Sequence, residues 1–87
     1  MARATLILPR VLLESVGSTR LRVEGVTLRD AFEDAYRQVP ALRHHLLDEK
    51  GGFRAHVLCF HEGERHPMNT KLKDGDEISI FQAISGG

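Results

Sequence analysis

The sequence has 87 residues, of which 41% are hydrophobic and 28% are charged, as in ordinary globular proteins. Lys and Arg together number 12, and so do Asp and Glu, so no excess charge would attract the chain non-specifically to nucleic acid or to an anionic membrane. The single cysteine excludes an internal disulfide framework and a four-thiolate iron–sulfur cluster.

No run in the sequence approaches the ~20 apolar residues that a membrane-spanning helix needs. The N-terminal region also lacks the pattern of a signal peptide, because the short apolar runs 6–8 and 11–13 are separated by Pro9-Arg10. We therefore expect a single cytoplasmic domain over residues 1–87, with neither a membrane nor a nucleic acid as its partner.

The first 24 residues predict a β-hairpin. Residues 4–8 are an aliphatic and β-branched run closed by Pro9, and residues 10–18 form a loop. Residues 19–24 then alternate strictly, which places Leu21 and Val23 on one face and polar groups on the other.

Gly25 ends the second strand, and an amphipathic helix follows it. Thr27 is placed to cap this helix, with Asp30 at the N3 position of a capping box. An apolar stripe at helical spacing runs through Leu28, Ala31, Phe32, Ala35 and Val39. Pro40 ends the helix.

The second half predicts a minor helix and two further strands. The minor helix covers residues 42–47, and the continuous apolar run 53–60 indicates a central strand covered at least partly on both faces. Residues 64–73 are polar and irregular, 74–76 form a turn, and 77–81 form the last strand.

This order predicts an α+β fold: a mixed sheet of four to five strands, covered on one face by one main helix. The first and last strands can lie parallel at the centre of the sheet, because the chain between them is long enough for a crossover.

No catalytic or metal-binding motif stands out among the familiar spacings. Of the five histidines, His44 and His45 are neighbours and would point about 100° apart on a helix, so they cannot ligate one ion. His61 and His66 flank a turn, but they lack a third ligand, and we expect them to be solvated. We predict no catalytic residue, no metal site and no bound cofactor.

Cys59 has two interpretations. It could carry a persulfide, but it lies in the apolar segment 57–60, where burial raises the pKa of a thiol and makes it inert. A structural role is therefore favoured.

The C-terminal end is the remaining candidate for chemistry. After the last strand the sequence ends with Ile84, Ser85, Gly86 and Gly87, and we expect residues 82–87 to be a flexible tail. Glycine lacks a Cβ, so such a tail can thread a narrow channel. The terminal carboxylate, with a pKa around 3.5, is ionised and needs activation by an outside reagent such as ATP.

At this point the sequence resembles the MoaD/ThiS family of ubiquitin-like sulfur carriers. The matching residues are Leu72-x-Asp74-Gly75-Asp76-Glu77-Ile78, the strand after it, Gly86-Gly87, the helix start Thr27-Leu28-x-Asp30-Ala31, and the first strand Leu6-Ile7-Leu8-Pro9. The resemblance covers essentially the whole chain, and the terminal block is its most specific part.

The resemblance implies a β-grasp fold and a sulfur-transfer cycle. A ubiquitin-activating-type adenylyltransferase would use ATP to adenylate Gly87, with Gly86, Ser85 and Ile84 threading into that enzyme. Sulfur from a cysteine desulfurase or a rhodanese would convert the adenylate to a thiocarboxylate, which an acceptor biosynthetic enzyme would consume.

The pathway stays open among cysteine, molybdopterin and thiamin biosynthesis and tRNA thiolation. Region 40–54 looks most like the branch that serves cysteine biosynthesis, whereas the ending 83–87 is similar to carriers used in tRNA thiolation. Many relatives have prolines just before the tail, where this chain has Gln82-Ala83.

Alternation also predicts a partner surface. If Val57 and Cys59 face the helix, then Leu58, Phe60 and Phe81 lie together on the opposite sheet face and form a docking patch for the activating or acceptor enzyme. The alternative is that the loop at 10–16 or at 64–72 folds over them.

Three other functions remain alternatives. The activated glycine could be joined to lysines of target proteins, which would make the chain a protein modifier. The domain could be a passive interaction module with an incidental tail. An enzyme in its own right would need an active site that the sequence does not offer.

Overall fold

The computed structural model describes residues 1–82, which contain four strands and three α-helices. The strands are β1 (Ala2–Ile7), β2 (Arg20–Gly25), β3 (Val57–His61) and β4 (Asp76–Gln82). The helices are α1 (Leu13–Val16), α2 (Leu28–Gln38) and α3 (Ala41–Leu46), and a 3₁₀ turn, Arg10–Leu12, precedes α1.

The strands form one mixed sheet in the order β2-β1-β4-β3. β1 and β4 are parallel neighbours at the centre, as predicted, and β2 and β3 pair antiparallel to them on the outside. The helices of the crossover lie between β2 and β3 in the chain, and α2 is the longest of them. The prediction of a ubiquitin-like β-grasp with one main helix is confirmed.

The predicted central strand over residues 53–60 is wrong in its extent and its place. β3 begins only at Val57 and lies at the edge of the sheet. Phe53 instead forms an isolated bridge with Leu47 and packs edge-on against Phe32, with 5.3 Å between the ring centroids. The apolar run is continuous because one face of β3 packs on the core and the other face carries the apolar side chains of Leu58 and Phe60. It does not indicate a central strand that is covered on both faces.

The core lies between the sheet and the helices. Leu28, Ala31, Phe32 and Ala35 of the predicted stripe are buried, and Val39 packs partly buried against them. The sheet contributes its inward-facing side chains, among which Leu6, Val23, Ile78 and Ile80 are at most 2% exposed. Each such side chain stabilises the fold by about 1.5–3 kcal/mol relative to its exposure to water.

The capping box that the sequence predicts at the start of α2 is present. The backbone N–H of Asp30 donates to Thr27 Oγ1 at 3.3 Å, and the Thr27 N–H donates to Asp30 Oδ2 at 3.1 Å. Each bond gives an acceptor to a backbone N–H group at the helix terminus that would otherwise be hydrogen-bonded to water. At the other end α2 stops at Gln38, two residues before Pro40.

Residues 10–18, predicted as a loop, contain the 3₁₀ turn and α1. Leu12 is buried in the core and holds this segment against it. Gly17 ends α1 in the left-handed region with a φ of 89°, where its N–H donates to the carbonyl of Leu13 at 2.7 Å. So short a helix depends on tertiary packing rather than on local helix propensity.

Candidate functional site

β4 holds the base of the predicted tail at a fixed place. Its last residue, Gln82, is the Cα partner of Val57 at the start of β3, so the chain leaves the sheet beside the edge strand. Gln82, the first residue of the predicted tail, still belongs to β4. Ile84, Ser85, Gly86 and Gly87, on which the predicted chemistry falls, lie outside the described residues.

The predicted docking residues come together on the outer face of the sheet, the face turned away from α2. Leu58 lies opposite Phe81 and Phe60 lies opposite Ser79 in the antiparallel register of β3 and β4. The rings of Phe60 and Phe81 meet edge to face, with 5.5 Å between their centroids and 74° between their planes. We call Leu58, Phe60 and Phe81 the outer-face patch.

The outer-face patch is open to a partner. Phe81 is 53% exposed, and Leu58 and Phe60 are half-buried. The alternative, in which a loop folds over the patch, is therefore not what the structure shows. A shallow cavity of ≈ 460 Å³ is lined by both phenylalanines together with Ser79 and Gly63, and sequence reasoning missed these last two residues.

Apart from Ile7, which lies beside Ser79 in the register of β1 and β4, the rest of the outer face is charged or polar. Beyond Ser79 the same face carries Glu77, whose Oε2 lies 3.4 Å from Arg20 Nη2 of β2. Arg22 and Thr5 lie opposite each other in the register of β1 and β2 and continue this polar surface. An apolar patch with a polar surround is the usual anatomy of a protein-binding site.

A buried pair that the sequence analysis missed lies at the far end of β3. His61 was predicted to be solvated, but it is 6% exposed, and its Nε2 lies 2.7 Å from Asp76 Oδ2. The same carboxylate oxygen accepts the N–H of Lys73 at 2.8 Å. The pair joins the end of β3 to the start of β4.

The Asp76 carboxylate is favoured in its ionised form despite its burial. Burial by itself raises the pKa of this carboxyl, but the Lys73 N–H and the hydrogen bond and charge of His61 together hold its pKa below the ordinary 3.8. His61 Nδ1 is buried and has no hydrogen-bond partner within residues 1–82. Alternation places His61 on the inward face with Val57 and Cys59, but it does not identify Asp76 as the partner.

Cys59 faces the core, where it packs against the buried cluster. Burial raises the pKa of its thiol to about 11, and the nearby charge of Arg65 offsets only part of that effect. At neutral pH the thiol is therefore almost wholly protonated, and the thiolate is the reactive form. The structural interpretation of Cys59 is favoured over a persulfide carrier.

Two other classes of site find no support in the described part of the chain. Within residues 1–82 no group of three or more His, Cys, Asp or Glu side chains is arranged to hold a metal ion. His61 and His66 do meet, with 5.3 Å between their ring centroids, but His61 Nε2 is engaged by Asp76. None of the helices over the same residues has the length and apolar character to cross a bilayer.

Comparison with known proteins places this architecture among small ubiquitin-like proteins. A family model described as the ThiS family matches residues 7–87. Small archaeal modifier protein 1 of Haloferax volcanii is 29% identical over 79 residues, which cover 87% of this chain and 91% of that protein. Its crystal structure superimposes with a TM-score of 0.87 at 27% identity and covers 99% of this chain and 100% of its own.

Two further solved structures agree with this placement. The solution structure of small archaeal modifier protein 1 from Methanosarcina acetivorans has a TM-score of 0.83 at 28% identity, covering 100% of this chain and 98% of that one. The Amycolatopsis orientalis BexX/CysO complex contains a chain with a TM-score of 0.82 at 20% identity, covering 97% of this chain and 99% of that one. The second likeness supports the fold alone.

Proposed function

Because this chain belongs to the ThiS family of ubiquitin-like proteins, we propose that it is a sulfur carrier whose working group is the carboxylate of Gly87. The observation that carries the proposal is the family match over residues 7–87, which includes both the β-grasp body and the terminal Gly86-Gly87. The chain acts as the substrate of its partner enzymes and supplies no catalytic side chain of its own.

The chemistry follows from the terminal carboxylate. With a pKa around 3.5 it is ionised and a poor electrophile, so an adenylyltransferase of the ubiquitin-activating type must activate it. A carboxylate oxygen of Gly87 attacks the α-phosphorus of ATP, and pyrophosphate leaves. Sulfide then attacks the acyl carbon, AMP leaves, and a thiocarboxylate remains.

A protein persulfide can replace sulfide as the donor. Attack by the terminal sulfur of a cysteine desulfurase or rhodanese persulfide gives an acyl disulfide and releases AMP. A thiol then reduces the S–S bond and frees the thiocarboxylate. The thiocarboxylate sulfur attacks an electrophilic substrate of an acceptor biosynthetic enzyme, and water then cleaves the acyl–sulfur bond, which leaves the sulfur on that substrate and a carboxylate at Gly87.

The residues before Gly87 allow the C-terminus to enter the active site of the activating enzyme. Gly86 has no Cβ and adopts backbone angles that other residues avoid, so it suits a narrow enzyme channel. Ser85 and Ile84 enter behind it. The body of the chain then serves to present this segment at the end of β4, beside the edge strand.

The outer-face patch is the surface through which the body docks onto the activating or acceptor enzyme. Its aromatic pair is exposed on one side of the sheet and is bordered by the polar surface that contains Arg20 and Glu77. Exposed aromatic side chains surrounded by polar groups frequently carry most of the energy of an interface.

A second function, protein modification, is favoured by one specific observation. The relatives at 27–29% identity are described as small archaeal modifier proteins. As a modifier, the same activated Gly87 would acylate a lysine amine of a target protein, with loss of the activating group and formation of an isopeptide bond. Both functions use the same tail and the same fold.

One experiment on native material separates the two functions. Intact-mass analysis of the protein purified from its own cells should show a population heavier by the difference between one sulfur and one oxygen atom. Tryptic peptide sequencing of the proteome should show whether lysines carry residues 74–87 as a branch, because no Lys or Arg follows Lys73. The sulfur-carrier proposal fails if the heavier species never appears while conjugated lysines do.

A further inference from the structure

The outer edge of β3 offers free backbone groups at its middle residue. The N–H of Glu62 donates to the carbonyl of Glu77 at 3.0 Å, so the residue following β3 points its backbone groups at β4. In an antiparallel pair these directions alternate along the strand. The backbone groups of Val57, Cys59 and His61 therefore point away from β4, toward the open edge.

The two ends of this edge are occupied by local turns. The N–H of Val57 donates to the carbonyl of Arg54 at 2.9 Å. At the other end, His61 and Glu64 exchange two backbone hydrogen bonds of 2.7 and 3.1 Å. Between these turns the N–H and C=O of Cys59 have no backbone or side-chain partner within residues 1–82.

A cleft lies along this stretch of the edge. Three segments, residues 53–55, 57–59 and 65–68, enclose a volume of ≈ 490 Å³. That volume falls in the range of about 300–1,000 Å³ typical of ligand clefts. Phe53 and Met68 contribute apolar side chains to its lining, and Cys59, whose backbone groups point away from β4, lines it too.

The charged side chains that line the cleft are basic. Arg54 and Arg65 both line it, and neither is ion-paired with a carboxylate within the described residues. The Arg54 Nε donates to the carbonyl of His44 at 3.1 Å, which holds its side chain in place. No Asp or Glu of residues 1–82 lines the cleft, and Glu64 Oε2 lies 3.8 Å from Nε2 of His66, which is one of the lining residues.

We propose that this cleft binds an extended acidic segment of a partner protein by β-strand addition. The segment pairs with the N–H and C=O of Cys59 and directs its carboxylates to Arg54 and Arg65. Strand addition supplies affinity through the backbone and specificity through alternate side chains. The cleft adjoins the outer-face patch at Leu58, and the pairing at Cys59 does not depend on the chemistry of the tail.

A second copy of the chain is a poor occupant of the same edge. Antiparallel pairing of two β3 strands about Cys59 would bring Arg54 and Arg65 of both copies into one cleft, and four guanidinium groups without carboxylates would repel one another. An acidic peptide offsets the same charges.

The proposal can be tested with a fluorescein-labelled nonapeptide, Asp-Glu-Val-Thr-Val-Thr-Val-Glu-Asp, and the full chain. Fluorescence anisotropy should show binding that is at least roughly tenfold tighter than that of a matched peptide with lysine at the four acidic positions. Hydrogen exchange followed by NMR should show slower exchange of the Cys59 amide with the acidic peptide bound.

Two matched perturbations refine the test. In one peptide all the valines are N-methylated, and in a second peptide all the threonines are. Strand addition predicts that only one of the two loses binding, because only alternate residues of the added strand direct their backbone N–H groups to β3. Arg65→Glu should weaken binding at least roughly tenfold, whereas Arg10→Glu, the same charge change outside the cleft, should change it less than about twofold.

Three results would overturn the proposal. The first is equal binding of the acidic and lysine peptides, or unchanged exchange of the Cys59 amide with the acidic peptide bound. The second is equally tight binding of a short single-stranded oligonucleotide of the same charge. The third is sedimentation of the free chain as a dimer in which the Cys59 amide is already protected.

Discussion

Gly25 lies where the end of β2 passes the first turn of α2, and its replacement by alanine tests how closely the two elements are packed. A Cβ on this residue would lie 2.5 Å from the Asp30 Cβ, 2.9 Å from the Ala31 backbone nitrogen and 3.0 Å from the Asp30 carbonyl carbon. Two of these three atoms belong to the backbone of α2, so no side-chain rotation relieves the contact.

The expected cost follows from that geometry. Ordinary carbon contacts begin near ~3.5 Å, so α2 must move by about 1 Å to accept the methyl group. Overpacking of this kind costs about 1–3 kcal/mol. The shift also strains the capping box, in which Asp30 Oδ2 accepts the N–H groups of Val26 and Thr27 at 3.1 Å each. For a domain of this size we expect the melting temperature to fall by about 5–20 °C.

Urea and thermal unfolding followed by far-UV circular dichroism would measure the effect. Gly52→Ala is the matched control, because a Cβ at Gly52 meets nothing within 4 Å and its φ lies outside the left-handed region. It should leave stability unchanged or raise it slightly, because alanine restricts the unfolded chain. Equal stabilities for the two variants would refute the close approach of β2 and α2.

Three further predictions concern the site. Asp76→Asn should lower the unfolding free energy at pH 7 by about 1–3 kcal/mol. Because the folded-state pKa of Asp76 is depressed below 3.8, this contribution is present above pH 3.8 and is lost as the pH falls further. Urea titrations should therefore show the stabilities of the original chain and the variant converging in acid. Phe60→Ser together with Phe81→Ser should keep the circular dichroism spectrum but slow adenylation or sulfur delivery, and unchanged rates of both would remove the outer-face patch from the account. The Cys59 thiol, with its pKa raised to about 11, should react with iodoacetamide at pH 8 roughly a hundredfold more slowly in the folded than in the urea-unfolded chain, measured by mass spectrometry.

Local signals in the sequence were enough to predict most of the fold. The strict alternation through Leu21 and Val23 predicted β2, and the spacing of Thr27 and Asp30 predicted the cap of α2. The face assigned to Phe60 and Phe81 was also correct, because alternation fixes the face of a strand residue without knowledge of its neighbours.

What the sequence could not predict depends on contacts between distant residues. The position of β3 at the edge depends on which strands pair across the sheet, and an apolar run does not contain that information. The burial of His61 depends on Asp76, fifteen residues away, whose carboxylate makes an inward histidine acceptable in the core. The 3₁₀ turn and α1 likewise form because Leu12 is buried by the rest of the fold.

The central claim is that sulfur is carried at the backbone terminus of Gly87, and intact mass after reconstitution tests it most directly. Incubation with a matched adenylyltransferase, ATP and sulfide should add the mass difference of one oxygen replaced by sulfur, with fragmentation placing the sulfur on Gly87. A semisynthetic chain with a C-terminal amide should gain nothing, and Cys59→Ala should gain as much as the original. Sulfur found on Cys59, or an amidated chain that is loaded equally well, would contradict the account.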